Sequence, residues 1–279
     1  MGSRTFQMQC TDGSQRFACE WQPENTQRVK GVIGIIHGMG EHIGRYDHVA
    51  DMFTANDYVV LGFDQCGHGR TEGKRGHTVS YEALLLGIDG MLAHARHTYP
   101  DVPVYLFGHS MGGNVTLNYI LRRKPAIEGA IITGPWLKLA FSPPPLQVVI
   151  ARIVERVLPA YTSKRPLNVD HLTSDPGMME MYRNDTLGHG NITARFFLSI
   201  QSAGLWALKH ASEWSIPLLL MHGGSDRVTS INASRQFAQA AGPNCTFMEW
   251  TGFQHELHNE SKREEVFTTM IGWLEQRNS

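Results

Sequence analysis

Gly108-His109-Ser110-Met111-Gly112 has the form G-x-S-x-G, and a serine presented this way can attack a carbonyl carbon once a base lies within reach. Alone the pentapeptide is a weak signal, because Gly and Ser are common residues. Its setting strengthens it: an apolar run at 104–107 precedes it and a helical pattern at 113–123 follows. A sharp strand-to-helix turn there strains the backbone of Ser110, and glycines two residues to either side let strand and helix approach. The same turn leaves the Met111 N–H at a helix N-terminus, where negative charge is stabilised.

The base must come from 14 histidines. In sheets carrying such a turn the chain order is serine, acid, histidine. Asp226 is the only aspartate after Asp185, and it lies in Gly223-Gly224-Ser225-Asp226 just past an apolar run at 217–221. Open α/β sheets carry their ligand-facing loops at such places. Only His255 and His258 follow. His255 occupies the loop after the run at 246–250 and is the expected base. His258 lies nearer the last helix, beside a cap expected at Asn259, and reads as a helix-start residue. Glu249 is the fallback acid, although its place beside Trp250 in a strand reads as solvent-facing. His109 reads as packed, and His37, His42, His68 and His77 as shaping Gly-rich loops. On this reading His255 takes the proton of Ser110, while Asp226 fixes the imidazole tautomer and stabilises its charged form. A tetrahedral oxyanion needs two N–H donors: Met111, and Met39 in the loop His37–His42 after the run at 31–36. No G-x-G-x-x-G, P-loop or H-E-x-x-H pattern is present, so neither a cofactor nor a metal is expected.

These residues need elements to hold them. Strand-like runs fall at 31–36, 59–63, 104–107, 130–133, 217–221 and 246–250, and helical patterns at 46–56, 80–99, 113–123, 231–241 and 261–276. Such alternation predicts an α/β fold with a mostly parallel sheet covered on both faces. Residues 5–10 and 15–21 flank Thr11-Asp12-Gly13-Ser14 and read as an N-terminal antiparallel hairpin. From 134 to 214 the alternation stops. This Pro- and Met-richer segment shows no convincing strand and reads as a helical cap insertion over a core made of 1–133 and 215–279. The alternative is that its helices join the core of one larger domain. Within it, Leu146, Val149, Ile150, Ile153, Val154 and Val157 repeat at helical spacing, a face that would line an acyl tunnel, rest on a membrane surface, or pack inward.

A chain of 279 residues with 42% hydrophobic and 18% charged residues can bury a large core, and its net charge of -1 gives no reason to expect nucleic acid. The densest basic cluster, Arg122-Arg123-Lys124, reads as a helix C-terminus. No stretch is apolar enough to span a bilayer, the first residues lack a secretory pattern, and the four cysteines are scattered. Free thiols and a cytoplasmic location follow as expectations, with peripheral contact to membranes or lipid droplets through the cap. Composition is silent on oligomeric state.

Taken together, His37–His42 with Arg45-Tyr46, Phe63-Asp64 before Gly67-His68-Gly69-Arg70, Gly108–Gly113, His222-Gly223 to Asp226, and His255-Glu256-Leu257 with Asn259-Glu260 resemble one family. It is the monoacylglycerol lipase and lysophospholipase group of α/β-hydrolases, also called serine aminopeptidase-like hydrolases. The resemblance runs from about residue 31 to the C-terminus apart from the insertion, and Gln65-Cys66 departs from the pair often found before Gly-His-Gly. It implies the α/β-hydrolase fold, carboxylic ester hydrolysis, a helical cap and a preference for single-chain lipid esters, monoacylglycerols first. It also assigns Met39 and Met111 to the oxyanion positions. Alternatives within the class are a lysophospholipase, a broad short-chain carboxylesterase, or a peptidase whose amine site would draw on Asp170, Asp175, Glu180 or Asp185. Outside the class stands a ligand-binding protein that keeps the fold without turnover.

Overall fold

The computed structural model describes residues 2–165 and 168–278. In chain order the strands are β1 (Gly2–Gln9), β2 (Gln15–Gln22), β3 (Gly31–Ile36), β4 (Tyr58–Phe63), β5 (Val104–His109), β6 (Gly129–Thr133), β7 (Thr162–Lys164), β8 (Asn191–Thr193), β9 (Leu218–Gly223) and β10 (Cys245–Trp250). The α-helices are α1 (Asp47–Thr54), α2 (Glu82–Thr98), α3 (Met111–Arg123), α4 (Pro145–Val157), α5 (Pro176–Asn184), α6 (Ala194–Lys209), α7 (Ile231–Ala241) and α8 (Arg263–Asn278). Eight strands form one sheet in the order β1-β2-β4-β3-β5-β6-β9-β10. It is parallel from β4 to β10, while β2 runs antiparallel to both β1 and β4. This is the α/β-hydrolase architecture, with the N-terminal hairpin where the alternating sequence places it.

The period of two along each strand builds a separate core on each face. Val32, Val59, Leu106, Ile132 and Leu220 point to the face covered by α2, α3, α6 and α7. Their neighbours Ile33, Val60, Phe107, Ile131 and Leu219 point to the face covered by α1 and α8. Arg122 and Arg123 close α3, and Lys124 caps it in the left-handed conformation at φ 46.

Between β6 and β9, which are neighbours in the sheet, the chain makes a long excursion through α4, β7, α5, β8 and α6. Two expectations change here. The excursion does contain strands: β7 and β8 form a two-stranded antiparallel pair. At three residues each they are too short to show alternation in a sequence. The inward-packing reading of α4 also fails. Leu146 (69% exposed), Val149, Ile150, Ile153 and Val157 face outward, and α4 buries no residue. By contrast α6 buries Phe196, Ile200, Ala203, Ala207 and Leu208 against the sheet's covering helices. Among the described residues no helix is long and apolar enough to cross a membrane.

Candidate active site

Ser110 sits between the last residue of β5 and the first of α3, at φ 54 and ψ −116. An L-residue adopts this backbone only where its surroundings hold it there. The two flanking glycines explain how. A methyl group at Gly112 would lie 2.0 Å from the Ile36 carbonyl oxygen, and one at Gly108 would lie 2.7 Å from Thr116 Oγ1 and 2.8 Å from the Gly112 carbonyl. Strand β3, strand β5 and helix α3 can converge only without those side chains. The Ser110 N–H donates to the Thr133 carbonyl (3.0 Å) and its own carbonyl accepts from Trp136 N–H (2.9 Å), which fixes the turn against the end of β6.

Residues 110, 226 and 255 meet at the C-terminal edge of the parallel strands. His255 Nε2 accepts from the Ser110 hydroxyl at 2.9 Å, and His255 Nδ1 donates to Asp226 Oδ2 at 2.7 Å. Asp226 is held in turn: its Oδ1 accepts the N–H groups of Val228 (2.7 Å) and Thr229 (3.0 Å), and its Oδ2 lies 2.8 Å from the Thr229 hydroxyl and 3.1 Å from His222 Nε2. Burial opposes ionisation of Asp226, but charged His255 and the hydrogen bond from His222 outweigh it, and the carboxyl stays well below its usual range. Burial likewise opposes protonation of His255, yet the Asp226 carboxylate beside it raises the imidazole above its usual 6.5. Ser110 keeps 7% exposure while His255 keeps 1%, so an incoming molecule meets the hydroxyl and not the imidazole.

Met111 is the first residue of α3, and Met39 lies in the loop after β3. Neither N–H donates to a backbone carbonyl in the turns, loops and caps of the described residues. The loop is braced by His37, whose Nδ1–H donates to the Gly38 carbonyl (2.8 Å) and whose Nε2 accepts the Gln65 N–H (2.9 Å). Burial drives the His37 imidazole down to about 4, in keeping with its accepting role.

A family model described as "Serine aminopeptidase, S33" matches residues 27–262. The chain belongs to that family. Among its relatives, a phospholipase of Bacillus subtilis is 31% identical over 252 residues, covering 89% of this chain and 96% of the relative. An abhydrolase domain-containing protein of Dictyostelium discoideum is 32% identical over 259 residues, and this chain spans only 27% of its length. The crystal structure of a monoacylglycerol lipase from Paleococcus ferrophilus superposes with a TM-score of 0.83 at 27% identity, covering 100% of both chains.

Around the S33 site lie further residues that hold the side chains of Ser110, Asp226 and His255, and of them Thr229 and Ser234 fall outside the stretches that carry the family resemblance. His222 and Thr229 fix the acid, and Ser234 meets His222 Nδ1 at 2.9 Å. His222, next to last in buried β9 and four residues before Asp226, belongs to a stretch that carries the resemblance, whereas Thr229 and Ser234 gave no local signal. Behind His255 sits a second cluster. Arg45 reaches Glu256 at 3.4 Å, Asn259 Nδ2 donates to Glu256 at 2.6 Å, and the His109 ring lies 4.7 Å from the His255 ring. Glu41, His109 and Glu256 bring ligand-type atoms within 4.8 Å of one another, with the Arg45 guanidinium supplying positive charge beside them. Burial and the nearby Glu256 raise Glu41 to about 7.

His258 and Asn259 depart from the reading of a helix start. Both are buried in a short 3-10 turn, His258 stacks on Tyr46 at 5.0 Å, and α8 begins only at Arg263. Glu249 is exposed and pairs with Arg235, away from the histidine. The acids considered for an amine site are mostly engaged: Asp170 with Arg183, Asp175 with Arg263 and Asp185 with His42. All four cysteines are free, with Cys10 and Cys19 buried.

Proposed function

We propose that the protein hydrolyses carboxylic esters of single-chain lipids, monoacylglycerols foremost, through an acyl-enzyme on Ser110. The reading rests on one observation above others: the unbroken hydrogen-bond chain Asp226–His255–Ser110 at a strained strand-to-helix turn. His255 removes the hydroxyl proton as Ser110 attacks the ester carbon, then returns it to the leaving alcohol. Asp226 holds the imidazole with Nδ1 protonated and stabilises the cation that forms. The tetrahedral oxyanion is held by the Met39 and Met111 N–H groups, and losing one such donor costs ~2.7–4 kcal/mol of transition-state stabilisation. Water, activated by the same imidazole, then releases the acid.

Residues 134–214 act as a cap over this core. The outward apolar face of α4, flanked by exposed Arg152 and Arg156, suits contact with a membrane or droplet surface from which a lipid is drawn. The monoacylglycerol lipase and phospholipase relatives both support a lipid ester, and the phospholipase favours a second reading, lysophospholipid hydrolysis at the same serine. Product analysis after parallel incubation with monoacylglycerol and lysophosphatidylcholine separates the two. Release of fatty acid from neither, with p-nitrophenyl acetate cleaved rapidly, would sink the lipid reading in favour of a short-chain esterase. A native protein that a fluorophosphonate labels no better than Ser110→Ala would sink the enzyme reading and leave a binding protein.

A further inference from the structure

The oxyanion loop is held from two sides. Its ends are tied to the core: His37 grips the Gln65 N–H, and Asp64 Oδ1 accepts the Ile43 N–H at 2.7 Å. Its middle is tied to the excursion. The Gly40 carbonyl, directly after Met39, accepts the His189 N–H at 2.9 Å, and His42 Nε2 lies 3.2 Å from the Asp185 carboxylate. Gly40 itself stands at φ 76, and a methyl group there would lie 2.2 Å from the His189 carbonyl oxygen. Loop and excursion therefore fit against each other backbone to backbone.

Asp185 acts on both of these ties. Its Oδ1 accepts the N–H groups of Leu187 (2.9 Å) and Gly188 (3.1 Å), which shapes the turn that points the His189 N–H at Gly40. The same carboxylate grips His42 at the far end of the loop, with the two side chains only 13% and 11% exposed. A hydrogen-bonded pair so withdrawn from water has a fixed geometry, and removing one partner leaves the other without compensation.

We infer that Asp185 is a positioning residue: from the excursion, it sets the loop that carries the Met39 N–H, and through that loop it governs stabilisation of the tetrahedral intermediate. The inference rests on the acyl-enzyme reading given above. It implies that the cap contributes to the chemical step as well as to covering the substrate, because the loop's middle is ordered by contacts from residues 185–189.

The test compares full-length wild type, Asp185→Ala, Asp185→Asn and His42→Gln on p-nitrophenyl butyrate, with an alkyl boronic acid as the tetrahedral probe. Misplacement of a donor predicts that Asp185→Ala lowers kcat by ~10- to ~100-fold with KM nearly unchanged, and weakens boronic acid inhibition by the same factor. Asp185→Asn keeps an acceptor for Leu187 and Gly188 and a polar partner for His42, so it recovers most of the loss. A merely structural role would lower the melting temperature without this matched loss of kcat and boronate affinity. Wild-type kcat in Asp185→Ala, or lost kcat with boronate affinity intact, overturns the inference. If Asp185→Ala does not fold, His42→Gln decides: a matched fall in kcat and boronate affinity supports the inference, and wild-type values overturn it. Failure of the wild type itself to cleave the ester or react with a fluorophosphonate would instead defeat the acyl-enzyme reading.

Discussion

The proposed acyl-enzyme route through Ser110 implies steep, separable effects of single side chains. Ser110→Ala is expected to lower kcat by ~10⁶-fold, and Asp226→Asn by ~10⁴-fold, with both variants remaining folded. Steady-state rates beside thermal melts check this, and activity surviving in Ser110→Ala would assign the nucleophile elsewhere. The pH dependence follows from His255. Its pKa lies above the usual 6.5, and only the neutral ring accepts the Ser110 proton, so kcat/KM should fall as pH drops, with a midpoint above 6.5. Glu41 has the opposite kind of signature, visible in stability. Its carboxyl is raised from 4.5 to about 7, so the folded state holds a proton that the unfolded chain releases. The stability it contributes is present below pH 4.5 and is lost as pH rises through 7. Glu41→Gln should flatten this part of the curve, gaining on wild type from pH 5 to pH 8 in urea titrations. Ser110, Asp226 and His255 were legible as a set because a local motif and a chain-order rule suffice to pick them, and the structure brings them together. The Arg45–Glu256 pair was not legible: its partners are 211 residues apart, and no local pattern links them.

Elements differ in how plainly the chain announces them. The six strand-like runs correspond to β3, β4, β5, β6, β9 and β10: the first five are nearly all apolar and buried along their whole length, whereas β10, at the sheet edge, buries none of its residues. Helix ends were less visible. The pattern starting at 46 becomes a 3-10 turn, Ile43–Tyr46, followed by α1, and α3 starts at Met111 because the elbow itself opens the helix. β7 and β8 left no periodic trace, since their pairing depends on contact across the excursion. The elbow's packing makes a firm prediction. Gly112→Ala places a methyl group 2.0 Å from the Ile36 carbonyl oxygen and 2.5 Å from that of His37, both backbone atoms that cannot rotate away. Unfolding in urea should show a loss of at least ~1–3 kcal/mol, accompanied by lost activity, and a wild-type midpoint would contradict the tight convergence of β3 and α3.

At the scale of the whole molecule, the sheet has both faces covered, whereas α4 buries no residue and turns its large apolar side chains outward. Each large apolar side chain left outside forgoes ~1.5–3 kcal/mol of burial, so the outward face of α4 gains most from an apolar surface. Replacing Leu146 and Ile153 with Ser should abolish sedimentation with anionic vesicles while leaving p-nitrophenyl acetate turnover intact. Equal sedimentation of wild type and variant would remove the case for α4 as the contact. The bareness of α4 also bears on how the molecule opens. Because α4 lies between Pro145 and Val157, before β7 pairs with β8, it can unwind while that pairing stays in place. Its amides should therefore exchange with deuterium through small local openings, in seconds to minutes, whereas those of α6 wait for events close to complete unfolding. Two widely separated exchange rates within one excursion would mark the boundary between its pliable part and its anchored part.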